Sequence, residues 1–168
     1  MEVILSIPRE PKSKIITAEE AAVKLEIWKR QDRIPVFTNG CFDILHQGHV
    51  TYLFQARLMG DALIVGINSD ASVRRIKGEK RPILNQQERA ELVAALECVD
   101  LVIIFDEDDP GLLIKTIQPL VLVKGADWPV DKVIGKDTVE AIGGEVKNIA
   151  LVEGRSTSTI IDTIKERY

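Results

Sequence analysis

Five short runs of branched and apolar residues punctuate the chain: IPVFTN (34–39), ALIVGIN (62–68), DLVIIF (100–105), LVLVKG (120–125) and EVKNIAL (145–151). Each has the length and composition of a β-strand. Most lack the apolar–polar alternation of a strand with one face in water. A nearly continuous apolar run needs cover on both faces, which is the situation of a strand in a parallel sheet. Parallel neighbours cannot be joined by a tight hairpin, so helices must cross between them. The pattern therefore predicts an α/β fold with a parallel five-stranded sheet and helices on both faces.

The segments between the runs fit that plan. TAEE opens a first helix, with Thr17 as cap, Glu20 in capping-box spacing, and Ala21, Leu25 and Trp28 on one stripe. After His46, the residues Val50, Leu53, Phe54 and Leu58 recur at helical spacing up to Gly60. SDASVRRIKGEKRPILN reads as a polar, basic loop, and QQERAELVAAL (86–96) as a helix of strong helix formers. DPGLLIKTI reads as a short helix, DKVIGKDTVEAIGG as one or two helices ending at Gly143–Gly144, and STSTIIDTIKER as the last helix. Residues 1–14 read as a flexible tail and 15–168 as a single domain. In parallel sheets ligands bind beyond the carboxyl ends of the strands. That rule directs attention to residues 38–49, 68–81, 105–109, 124–128 and 152–158.

Composition narrows the classes. The chain has 168 residues, 45% of them apolar, enough for one sizeable core. A net charge of -4 argues against nucleic-acid binding through a general basic field. An anion would have to be held by local cations and backbone N–H groups. Cys41 and Cys98 are the two cysteines, a usage that suits a reducing cytoplasm, although a single disulfide stays compatible with it. No apolar run approaches the roughly 18 residues of a membrane span, and MEVILSI lacks the basic start of a secretory signal. A cytoplasmic enzyme or binding protein is the expectation.

Both histidines of the chain, His46 and His49, fall in GCFDILHQGH, directly after the first strand run. A helix that begins there turns its free N–H groups and positive dipole end toward the strand end, where an anion is stabilised. Gly48 has no side chain to block a ligand, and the two imidazoles share one helix face. A phosphate fits. Two other readings stay open: half of a metal site, or a pair of structural histidines. Zinc wants about four ligands, and the usual paired-cysteine spacing is absent. Neither G-x-G-x-x-G nor the P-loop pattern is present.

NGCFDILHQGH resembles the G-x-F-D-x-x-H-x-G-H signature of the cytidylyltransferase-like nucleotidyltransferases. NSDASVRRIKGEKRP, LECVD, LVKGADW, GGEV and STSTII extend the resemblance to the adenylyltransferase half of the bifunctional ADP-heptose synthases, from about Lys14 to near Tyr168. The resemblance implies a Rossmann-like fold. It also implies that His46 and His49 bind the nucleotide phosphates and stabilise the transition state, with Lys77 as an electrostatic clamp and Arg89 reaching the phosphates. Thr38, Asn39, Gly40, Cys41, Phe42 and Gly48 of the motif would line the nucleotide site. Lys124, Gly125 and Asp127 of KGADW would lie near base and ribose. Ser156, Thr157 and Ser158 would hold phosphate at the start of the last helix. Asp43 is expected to orient the loop or a histidine, with Lys80 and Arg81 as flanking cations. Ala126, Trp128, Arg155 and Thr159 depart from the pattern of the relatives. Plainer readings stand beside these: a solvated basic loop for Lys80, an N-cap for one hydroxyl residue, a buried tryptophan for Trp128.

The function so implied is transfer of AMP from ATP, with Mg²⁺, to D-glycero-D-manno-heptose 1-phosphate, giving ADP-heptose and pyrophosphate. A homodimer and a separate upstream sugar kinase are further implications, with no nucleic-acid or membrane partner and no dedicated protein metal site. The acceptor is already a phosphate, so no protein nucleophile is needed and catalysis rests on positioning and charge. The alternatives are a cytidylyltransferase acting on glycerol 3-phosphate or another small phosphate, and a non-catalytic nucleotide-sensing module.

Overall fold

The computed structural model describes residues 9–126, 129–150, 154 and 156–168. Five strands, β1 (Pro35–Gly40), β2 (Ala62–Asn68), β3 (Leu101–Phe105), β4 (Val121–Gly125) and β5 (Glu145–Ile149), form one sheet in the order β3-β2-β1-β4-β5. Every pairing is parallel. The helices are α1 (Ala18–Arg30), α2 (Gln47–Arg57), α3 (Asp70–Lys77), α4 (Gln86–Ala94), α5 (Gly111–Ile117), α6 (Lys136–Ala141) and α7 (Thr157–Arg167).

Strand side chains alternate between two cores. Leu63, Val65 and Ile67 of β2 pack with Leu53 and Ala56 of α2 and Ala90 and Val93 of α4. Ile64 faces the other way, toward Leu25 of α1 and Ile114 and Ile117 of α5. Fully burying one such aliphatic side chain stabilises the fold by about 1.5–3 kcal/mol. The α1 capping box forms as expected: Thr17 accepts from the Glu20 N–H, and Glu20 from the Thr17 N–H.

Two expectations are corrected. The stretch 69–77 is not a loop, because Ser69 caps α3 and Gly78, at φ 95°, ends it. Only Ser72 and Val73 of α3 are buried, so there was little apolar periodicity to read. The helix expected after His46 forms as α2, and the structure adds which residues it buries: Leu53 and Ala56 face the core, while Val50, Phe54 and Leu58 stand in solvent. Lastly, residues 9–14 are not a tail. Pro11–Lys14 forms a 3₁₀ turn, and buried Lys14 Nζ donates to the carbonyls of Val99 at 2.9 Å and Leu96 at 3.3 Å. Ile15 then bridges to Val102 beside β3.

The order of the strands reverses between β1 and β4, and their pairing is confined to Val36–Val121 and Phe37–Leu122. The two strands part before their carboxyl ends. In a doubly wound sheet that switch point is where a ligand crevice opens.

Candidate active site

Beyond β1 the chain folds back tightly. Phe42 adopts φ 47°, a left-handed conformation that non-glycine residues seldom take, and its ring is buried edge-on to His49 at 5.1 Å between centroids. A Cβ at Gly40 would come within 3.1 Å of the Phe42 ring, so the lack of a side chain there lets the ring fold back. Asp43 is wholly buried. It pairs with Arg81 Nε at 2.5 Å and accepts from the N–H groups of Ile83 and Leu84 at 2.7 and 3.0 Å. Burial alone would raise its pKa, but those donors outweigh it and hold the carboxyl below its ordinary value. Asp43 thus orients the 81–84 loop rather than a histidine, and Arg81 is committed to it.

His46 caps α2 with extended backbone, and His49 lies in the first turn. Their rings stack at 3.7 Å with 22° between planes. Burial, then the nearby His46, push the His49 pKa down to about 4, with the backbone of Ile44 acting in the opposite sense. His49 is therefore a neutral imidazole at pH 7 in the free protein. The neutral ring has one N–H, which the Ile44 carbonyl already draws on, so a further donor toward an anion comes with protonation, and a bound polyanion would favour that.

A cleft of about 480 Å³ opens at the switch point. It brings together Asn39, Gly40, Cys41 and Phe42 from the motif with His49, Lys77, Lys124 and Thr157. Lys77 reaches it from the end of α3, and Lys124 Nζ donates to Asn39 Oδ1. Burial pushes the Cys41 thiol up, against the pull of Lys77, Arg89 and Arg81, so it is no thiolate nucleophile. His46 lines an adjoining hollow of about 360 Å³ with Ser156 and Thr159. Ser156 caps α7 by accepting from the Thr159 N–H. A larger depression of about 610 Å³ beside β3 carries Glu19, Glu20, Asp106 and Glu107 and no cation, so it does not suit a phosphate.

Several expected site residues lie elsewhere. Thr38 is wholly buried, with its hydroxyl 2.8 Å from that of Tyr52, which in turn donates to the Val123 carbonyl at 3.2 Å. It ties α2 to the sheet and does not face the cleft. Arg89 is also fully buried beneath the motif. It donates to the carbonyls of Leu84 at 3.0 Å and Cys41 at 2.6 Å and to Asp70 Oδ1 at 2.8 Å. The expectation that it reaches phosphate gives way to a positioning role. Gly48, Gly125 and Ser158 line neither hollow. Asp127, Trp128 and Arg155 lie outside the described residues.

The cleft also contains residues that motif reading missed: Asn68 at the end of β2, Asp108 and Asp109 after β3, and Val133 and Ile134 before α6. Position after a strand was the available signal for Asn68 and the aspartates. Nothing local marks the two aliphatic residues.

Residues 37–166 match the cytidylyltransferase-like family, and the chain belongs to that family. It is a nucleotidyltransferase. The bifunctional protein HldE of Syntrophotalea carbinolica is 54% identical over 156 residues, spanning 93% of this chain and 32% of that protein. HldE of Geobacter sulfurreducens is 56% identical over 140 residues, 83% of this chain and 29% of that protein. The chain thus spans about a third of the length of these curated relatives. The lipopolysaccharide core biosynthesis protein of Thermoplasma volcanium superposes with a TM-score of 0.59 at 30% identity, over 73% of this chain and 99% of that one. The pantothenate synthetase of Thermus thermophilus shares the fold alone, at 14% identity and a TM-score of 0.59, over 91% of this chain and 70% of that one.

Proposed function

We propose that the chain transfers AMP from ATP to a heptose 1-phosphate, forming ADP-heptose and pyrophosphate, as the adenylyltransferase half of an ADP-heptose synthase would. The observation that carries this reading is a switch-point cleft in which histidine, lysine and a helix start converge beside Cys41, whose thiol burial keeps protonated. The 54% identity to HldE over 156 residues favours the heptose over glycerol 3-phosphate and ATP over CTP.

In this reaction an oxygen of the sugar phosphate attacks the α-phosphorus of ATP, and the bond to pyrophosphate breaks. The protein's work is alignment and charge neutralisation. His46 and His49 donate N–H groups to the phosphates from the start of α2. Lys77 and Lys124 approach from the ends of α3 and β4, and Thr157 supplies the α7 N-terminus. Arg89 and Asp43 act at one remove, by holding the motif loop.

Magnesium fits as a companion of the substrate. Asp43 and Asp108 are each paired with an arginine, Asp109 accepts from the Gly111 N–H through one oxygen only, and no cluster of three metal-ligating side chains occurs among the described residues. That donor set suits an ion carried on the ATP phosphates and water. When bound, the ion would neutralise phosphate charge.

The test is pyrophosphate release from a matrix of ATP or CTP with heptose 1-phosphate or glycerol 3-phosphate. ATP with the heptose phosphate is expected to dominate. Folded protein that releases none with any pair refutes the reading.

A further inference from the structure

The cleft brings together two kinds of chemistry. His49, Lys77, Lys124 and Thr157 contribute donors and positive charge. Asn68, Asp108, Asp109 and Pro110, at the ends of β2 and β3, contribute oxygen acceptors and apolar surface.

Asn68 is the informative residue there. It is 3% exposed and lines the cleft. Its Nδ2 donates to Ser72 Oγ at 3.0 Å and to the Glu107 carbonyl at 3.4 Å. Ser72 Oγ spends its one proton on the Glu107 carbonyl at 2.9 Å, so toward Asn68 it can only accept. That fixes which way the Asn68 amide is turned. Its Oδ1 accepts no hydrogen bond from the described residues and is the polar atom left for the cleft. Among the described residues it is not one of the fully buried unpartnered atoms, so it meets the solvent of the cleft, where a ligand hydroxyl can take the place of water.

Asp109 lines the same cleft. Its Oδ1 accepts from the Gly111 N–H at 2.8 Å, and its second oxygen has no partner among the described residues. Neighbouring Asp108 is held by Arg75 at 2.6 Å. Carboxylate and amide oxygens repel phosphate but bind hydroxyl groups, and Pro110 and Ile134 beside them suit the C–H face of a sugar ring.

We infer that Asn68 Oδ1 and Asp109 form a hydroxyl-reading subsite that takes the polyol part of the acceptor, with the acceptor's phosphate toward Lys77. The inference rests on the adenylyltransferase reading for the identity of that acceptor.

Calorimetric titration of the full chain with an aldose 1-phosphate and with propyl phosphate, which has no hydroxyl groups, tests it. The wild type should prefer the sugar phosphate by about tenfold or more, the weight of one or two hydrogen bonds. Asn68→Ala and Asp109→Asn should each shrink that preference severalfold and leave propyl phosphate binding unchanged. Asp109→Asn keeps the bond to Gly111 and carries the test if Asn68→Ala does not fold. No preference in the wild type, or a preference untouched by the substitutions, overturns the subsite. Pyrophosphate release is measured in parallel. Preference without turnover would leave the subsite standing and refute the enzyme reading, and turnover with unaltered preference would do the reverse.

Discussion

His49 couples the site to pH in two ways. Its ordinary value is about 6.5, and folding lowers it to about 4. Between those values the unfolded chain binds the extra proton. Stability is therefore full above about pH 6.5 and falls as pH drops toward 4. Thermal melts should show the wild type losing more Tm across that window than His49→Gln, whose slope should be flatter. On the proposed reading ligand binding runs the other way, because phosphates placed over the stacked rings would favour imidazolium. Calorimetry of ATP binding near pH 6, in two buffers of different ionisation heat, should report proton uptake; no uptake would mean the phosphates lie off the rings. His46→Ala should lower turnover about 10²–10³-fold, as loss of one transition-state donor does elsewhere, with the far-ultraviolet circular dichroism unchanged. Both histidines were legible in the sequence because the motif concentrates them after a strand. Their stacking, which forbids two easy charges, was not, because it depends on side-chain rotation about α2.

The elements around the motif are joined by buried polar ties, and these explain where motif reading placed a side chain wrongly. Arg89 and Thr38 stand in the right neighbourhood, yet each points into the protein. Spacing along a chain says which segment approaches a site, not which way a side chain turns at its end. Arg89→Met would leave Asp70 and the carbonyls of Leu84 and Cys41 without their donor. We expect a loss of about 3–5 kcal/mol in urea unfolding, the scale of breaking a buried ion pair from one side. Tyr52→Phe leaves the buried Thr38 hydroxyl short of a partner and should cost about 1–2 kcal/mol by the same measure. Strands were easier to read than helices here. A strand buried on both faces announces itself by composition, whereas α3 is solvent-facing apart from Ser72 and Val73. Ser69 before it and Gly78 after it were the available punctuation.

Across the whole molecule, the order of layers followed from the five apolar runs, but the strand order did not, since parallel strands carry no register signal comparable to a hairpin turn. The packed segment before α1 was also hidden. Prolines and mixed charge suggest a loose end, but Lys14 spans to the turn between α4 and β3 and donates to two carbonyls there. Lys14→Ala should therefore lower stability by about 1–3 kcal/mol and leave pyrophosphate release per folded molecule unchanged. The parting of β1 from β4 has a consequence for how the protein comes into being. Asn39 and Lys124, which meet across the gap, are separated by 85 positions of sequence. During synthesis the first lip is therefore made long before the second exists, and no partial product of the ribosome owns a crevice. A ligand that binds only the assembled crevice would pull this last stage of folding forward by mass action.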